Sequence, residues 1–245
     1  MRTKTVNKCA SHRHATVRAP GRCTQVAFLL VAIIMHLAWV PHAGAQPASR
    51  DAALIRAAEA GNAADVKALL TQGASVHARD ANGRTALVAA TYGNRVEAAR
   101  LLIAAGADVN AQDDIRNSAF LLAGARGYLE IVRMTLGAGA DLKSTNRYGG
   151  TALIPACHYG HVETVRELLR TKIDVDHVNN LGWTALLEAV ILGDGGAAHT
   201  EIVRLLLAAK ANPNIADRDG VSPLEHAKRR GFGDIAKAIA QAGGR

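Results

Sequence analysis

Aromatic residues are scarce in this chain: 4% of 245 positions, against 49% hydrophobic overall. That disfavours a core built on large rings and suits one of Ala, Leu and Val, as closely stacked small helices need. Cysteine is nearly absent too. Of three, Cys9 and Cys23 fall in the first 45 residues, which stand apart from the rest. Cys157 alone remains beyond them, so that part cannot form an internal disulfide. The long apolar run, Val26 to Val40, has 15 residues interrupted only by His36. It is shorter than the ~20 residues a helix needs to cross a bilayer. No nucleophile motif, paired-carboxylate signature or nucleotide loop is visible, so nothing positive supports an enzyme.

The first 45 residues have their own order. Arg2, Lys4, Lys8, Arg13, Arg18 and Arg22 make a basic start with no acidic residue. The apolar run follows, Pro41 breaks it, and Ala43-Gly44-Ala45 supplies a small-x-small cleavage site. This order predicts a secretory signal peptide over 1–45, cut after Ala45, and a periplasmic or secreted mature protein. The alternative is an uncut anchor and a membrane-tethered protein; with cleavage, no stable membrane association is expected. Charge follows from the same boundary. The whole chain is +8, but six of its 29 basic residues precede Ala45, leaving 23 against 21 acidic, or about +2. A nucleic-acid partner thereby loses its electrostatic support.

A repeat fills what is left. Thr85-Ala86-Leu87 recurs as Ser118-Ala119-Phe120, Thr151-Ala152-Leu153, Thr184-Ala185-Leu186 and Ser222-Pro223-Leu224, at steps of 33, 33, 33 and 38 residues. A fixed period in this range marks a solenoid, not a fold with one central pocket. Asp80, Asp113, Asn146, Asn179 and Asp217 each open a polar turn, and Gly83, Gly149, Gly182 and Gly220 stand three residues on. Such turns predict hairpin-like fingers. The Thr or Ser that follows can cap a short Ala-rich helix. Gly61, Gly93, Gly127, Gly160, Gly193 and Gly231 then break the chain before a second, amphipathic helix. Gly73, Gly106 and Gly139 stand where that helix needs a left-handed end.

The runs Gly106-Ala107-Asp108-Val109-Asn110-Ala111, Gly160-His161-Val162-Glu163 and Asp217 to Leu224 resemble the ankyrin repeat. The likeness covers about residues 47 to 245. It implies an all-α ankyrin solenoid of about six units: a capping repeat at 46–79, repeats at 80–112, 113–145, 146–178 and 179–216, and a capping repeat at 217–245. The combination with a leader resembles exported bacterial ankyrin proteins. The family's His after Leu is replaced by Val88, Leu121, Ile154, Leu187 and Glu225, so apolar contacts should stand in for its Thr–His bond. Arg116 replaces a finger glycine, Lys172 and Lys210 replace helix-end glycines, and Gly93 comes one residue early. The Arg116 turn is expected to distort and the Gly93 turn to shift. The extra five residues of the 38-residue step fall in Gly193–His199, expected as a flexible turn between two helices.

Cys157, His158 and His161 form a string that invites a metal. In the ankyrin register Cys157 faces inward and His161 braces the loop, so their vectors diverge; no metal and no cofactor are expected. The resemblance implies instead a non-catalytic module that binds another protein through finger tips and the ends of the first helices. Carried onto this chain, the partner-binding positions are Tyr92, Ile115, Asn117, Arg126, Arg147, Tyr148, His158, Tyr159, Leu181 and Trp183. Aromatic and Arg anchors are the usual energetic centres of such surfaces. Trp183 can equally pack on the next finger. The protein is expected as a monomer, and an exported effector that binds a foreign protein would use the same surface.

Overall fold

Residues 47–245 are described by a computed structural model. The segment 1–45, read as a leader, lies outside the described residues. The described residues form twelve helices and no strand, arranged as six helix pairs. The first helices of the pairs are α1 (Pro47–Ala60), α3 (Ala86–Tyr92), α5 (Ala119–Arg126), α7 (Leu153–His158), α9 (Ala185–Ile191) and α11 (Pro223–Arg229). The second helices are α2 (Ala63–Thr71), α4 (Val96–Ala104), α6 (Leu129–Gly137), α8 (Val162–Leu168), α10 (Ala197–Ala208) and α12 (Gly233–Gln241). Each helix packs on its pair-mate and on the same helix of the adjoining pairs, giving two layers. None of the helices is long and apolar enough to cross a membrane.

The repeated residues account for this layering. Leu87, Phe120, Leu153, Leu186 and Leu224 sit one in each unit from the second to the sixth and are buried in one continuous cluster, together with Ala86, Ala119, Ala152 and Ala185. Small residues let the first helices approach closely: a methyl added at Gly124 of α5 would stand 2.8 Å from the Ala152 methyl. Val88, Leu121, Ile154 and Leu187 are buried at the family's His position. The fingers are closed as their sequence predicts. One side-chain oxygen of each Asx residue accepts two backbone N–H groups, two and four residues ahead. For Asp80 these are Asn82 and Arg84, both at 2.9 Å; for Asn179 they are Leu181 at 2.9 Å and Trp183 at 3.0 Å.

Four helices are capped by the expected hydroxyl. Thr85, Ser118, Thr184 and Ser222 accept the N–H three residues on, at 3.2–3.3 Å. Thr151 does not, and its buried Oγ1 has no partner. Elsewhere the amide four residues past the cap bonds the cap's carbonyl, as Ala89 bonds Thr85 at 2.9 Å. In this unit that position is Pro155, which has no N–H, so the first turn is lost and α7 begins only at Leu153.

The irregular turns are held by other means. Arg116 does not distort its finger; it takes φ +62°, and its N–H bonds Asp113 C=O at 2.9 Å, as glycine does in the other fingers. Lys210 takes φ +70°, and both residues carry the roughly 1 kcal/mol penalty of a left-handed non-glycine. Early Gly93 passes the left-handed role to Asn94 at φ +52°, so that turn shifts by one residue. Lys172 keeps a negative φ. There α8 is short, and the Thr171 hydroxyl closes its end by donating to Leu168 C=O at 2.6 Å.

The five-residue insertion differs from the expected flexible turn. Only Leu192 to Gly196 lies outside helices, and Ala197–His199 extend α10 to twelve residues, against nine in α4 and α6. Buried His199 pins the loop. Its Nε2 lies 2.9 Å from His158 C=O and its Nδ1 2.8 Å from Asp194 Oδ1, which also accepts the Gly196 N–H at 2.8 Å. The left-handed residue is Gly195, not Gly193, and Phe232 of the next unit packs where a side chain on Gly195 would stand. A side chain on Gly193 would strike the Ala189 carbonyl and the His199 ring.

Candidate functional site

The fingers and the outer ends of the first helices enclose one open trough of about 890 Å³. Finger residues Ile115, Asn117, Tyr148 and Leu181 form one wall, and α5, α7 and α9 supply the floor. Nine of the ten partner-binding positions expected from the sequence line this trough. Trp183 is the exception: it is half-buried and not among the lining residues. Six large hydrophobic residues are exposed among the described residues, and five of them line the trough: Ile115, Tyr148, Tyr159, Leu181 and Leu192. Apolar surface gathered this way, and rimmed by polar groups, is the physical signature of a contact surface.

Polar groups at one end are mutually fixed. Tyr92 donates its hydroxyl to Asp113 Oδ2 at 2.9 Å and accepts Asn117 Nδ2 at 2.9 Å, while the Arg84 guanidinium lies 5.7 Å from its ring centre. Burial, together with the Asp113 carboxylate, holds the Tyr92 phenol above its usual pKa, against the opposing bond from Asn117. In the middle, Arg147 lies over the Tyr148 ring at 4.8 Å and bonds its hydroxyl at 3.0 Å. Tyr148 is thereby preorganised although 53% of it is exposed. Arg126 is exposed on the same trough.

The far end holds a group that sequence reasoning missed. Glu188 of α9 has a side chain only 8% exposed. Its Oε1 accepts Asn179 Nδ2 at 2.9 Å, and its Oε2 faces His158 Nδ1 at 3.6 Å. Burial pushes its carboxyl up to about 7, against a smaller opposing effect of the Asn179 bond. His158 stacks on Tyr159, with ring centres 4.1 Å apart and 12° between planes. Burial, then the nearby His199, lowers the His158 pKa. The register held a clue. The equivalent positions in the three preceding units carry Ala89, Leu122 and Pro155, so a carboxylate here breaks an apolar column. The final unit repeats the geometry with roles exchanged, His226 meeting Asp217 at 2.7 Å nine residues apart.

The Cys157, His158 and His161 string does not converge. Cys157 is fully buried, and burial, then Glu188, raises its thiol well above the usual value. His158 turns toward α9. His161 reaches back to the preceding unit, bonding the Ala125 backbone and filling the space beside Gly127. Arg95 does the same two units earlier, donating to Glu59 C=O at 3.1 Å. His161 is thus one of a series of braces between neighbouring units. No group of three His, Cys, Asp or Glu side chains among the described residues is placed to hold a metal ion.

Comparison with known proteins agrees with the helix pairs. A solved ankyrin repeat domain from Acinetobacter baumannii AYE is 57% identical, superposes with a TM-score of 0.76, and matches over 78% of this chain and 98% of its own. The ankyrin repeat protein EF0377 is 39% identical at a TM-score of 0.75, with the same coverage. A curated relative, YahD of Escherichia coli (strain K12), is named for ankyrin repeats and is 46% identical over 56 residues. That match spans 23% of this chain and 28% of the relative's length. The family model for ankyrin repeats (3 copies) matches residues 22–113 and 120–217. With most of its length matched, and with repeated fingers and paired helices to account for the match, the chain belongs to the ankyrin repeat family.

Proposed function

We propose that this chain is a non-catalytic binding module that takes a segment of another protein into the trough over α5, α7 and α9. The observation that carries this reading is the gathering of five of six exposed large hydrophobics on that one surface. Ankyrin repeats as a class mediate contacts between proteins, which agrees with it. Tyr148 and Tyr159 are the anchors, being large, exposed and held in place by Arg147 and His158. Replacing both with alanine removes no core contact, so the thermal midpoint should stay within about 2 °C. Capture of the partner should fall about a hundredfold, as for two truncated anchors. Crosslinking and mass spectrometry in the native cell, wild type against the double variant, reads this directly. Unchanged capture would remove the trough as the site.

The same proposal places the module in a bacterial periplasm or beyond, carried there by residues 1–45. Basic residues, the apolar run and Ala43-Gly44-Ala45 support it. Intact mass of protein from its native cell should begin at Gln46. A chain that retains Met1 to Ala45 in the membrane fraction would instead make it a tethered scaffold. A secreted effector would use the same trough on a foreign protein.

A further inference from the structure

The trough is not uniform in charge, and its two ends differ in how well their polar groups are satisfied. Tyr92, Asp113 and Asn117 satisfy one another at the first end. At the other, Glu188 is a buried carboxylate whose partners among the described residues are one neutral amide and one histidine at 3.6 Å. A carboxylate offers about four lone-pair sites, and a single hydrogen bond leaves most of them unmet. No lysine or arginine of the described residues pairs with it, whereas Glu59, Glu97, Glu130, Glu163, Glu167, Glu201 and Glu225 all meet an arginine. The unpaired acid lines the surface that carries the exposed apolar side chains.

We propose that Glu188 is the specificity-determining residue of this trough, and that it receives a lysine or arginine side chain from an extended segment of the partner protein. Residues flanking that cation lie on Tyr159, Leu181 and Leu192. This rests on the trough being the binding surface. Charge complementarity selects the occupant at this end: a cation pairs the buried carboxylate, an acidic side chain would bury a second like charge beside it, and an apolar one would leave it unpaired, whereas Arg126 and Arg147, which line the same trough, are exposed to solvent. Tyr159, 60% exposed and stacked on the histidine that faces Glu188, offers an aromatic face to the same cation.

A proton should leave as the cation arrives. The carboxyl free in the trough titrates at about 7, and a cation beside it lowers that value. Binding is therefore strongest above pH 7 and weakens as pH falls through it. Other titratable groups face this point. From α7 come His158 and Cys157, and behind them stands His199 of α10. Helix α11 also packs on α9, but its His226 is held by Asp217, and Arg230, just past its end, by the Ile191 and Gly193 carbonyls. Lys228 and Arg229 are exposed, the latter paired with Glu225.

Selection of a phage-displayed random-peptide library on the full chain supplies the probe. Selected peptides should share one Lys or Arg flanked by apolar residues. A fluorescent copy of the leading peptide should bind the wild type about tenfold tighter at pH 8 than at pH 6, the ratio set by ionisation of one group near 7. Glu188→Gln, which keeps the acceptor for Asn179, should weaken the peptide about thirtyfold at pH 8 and flatten that dependence. His158→Gln should leave the pH dependence in place. Replacing the peptide's basic residue with norleucine should reproduce the loss on wild type, and the two changes together should not add. That arm reads the proposal even if Glu188→Gln folds poorly. Peptides lost by the Tyr148 and Tyr159 double variant but lacking a basic residue, or bound equally by Glu188→Gln, would overturn the cation pocket and leave the trough standing. Peptides indifferent to the double variant would overturn both.

Discussion

A chain ending at Asn214 is expected to aggregate rather than fold as a shorter protein. The last pair, α11 and α12, covers α9 and α10 with Leu224, Ala227, Ile235 and Ile239, all buried. Its removal uncovers the facing row of Leu186, Val190, Ile202, Val203 and Leu206. At about 2 kcal/mol for each large apolar side chain, the loss rivals the ~5–15 kcal/mol margin of a whole domain. The outer face of α12 is polar where α10 has an apolar one: Asp234, Lys237 and Gln241 are exposed, as a terminal unit requires. Arg218 and Arg230 also tie the last unit to the Asn180, Ile191 and Gly193 carbonyls. Light scattering and dye binding to exposed apolar surface check the result. A soluble monomer with a cooperative melt would mean that α9 and α10 can end the stack unaided.

Phe120→Ala should lower stability by about 3–5 kcal/mol, the range for a fully buried ring reduced to a methyl. Its position gives the loss a second consequence. Phe120 lies in the third of six units, and α5 touches α3 on one side and α7 on the other. In a stack coupled only between neighbours, a weak central unit separates the two sides. Urea denaturation should therefore become broad or biphasic. Hydrogen exchange read by mass spectrometry should show α1–α4 losing protection at a urea concentration different from α9–α12. Coincident loss in both halves would show that the stack unfolds as one unit even with its centre weakened.

The regular part of this molecule could be read from spacing because its causes are local. An Asx residue closing its own finger, or a serine capping a helix three residues on, acts within a few positions of chain. Thr151 was legible in principle: Pro155 stands four residues later and removes the amide that the first turn needs. Glu188 and His199 were harder for a different reason. A glutamate in a short helix looks by itself like part of a solvated face, and only the apolar residues at its register positions hint at the burial that α7, α10 and α11 give α9. His199 looks like part of a loose loop, yet its anchor, His158 C=O, is 41 residues away. Distance along the chain, not chemistry, hid both. Trp183 shows the converse, since the register put it on the binding list and the fold leaves it outside the trough.

The trough runs from Tyr92 at the end of α3 to Leu192 after α9, and so touches four successive units. Within the protein itself, each of those units is fastened only to the next one. A guest lying along the trough would be the first element to span all four at once. It would act as a splint, tying together units that the protein itself joins only neighbour to neighbour. The guest would then do more than occupy a surface: its presence at one end would be felt mechanically at the other.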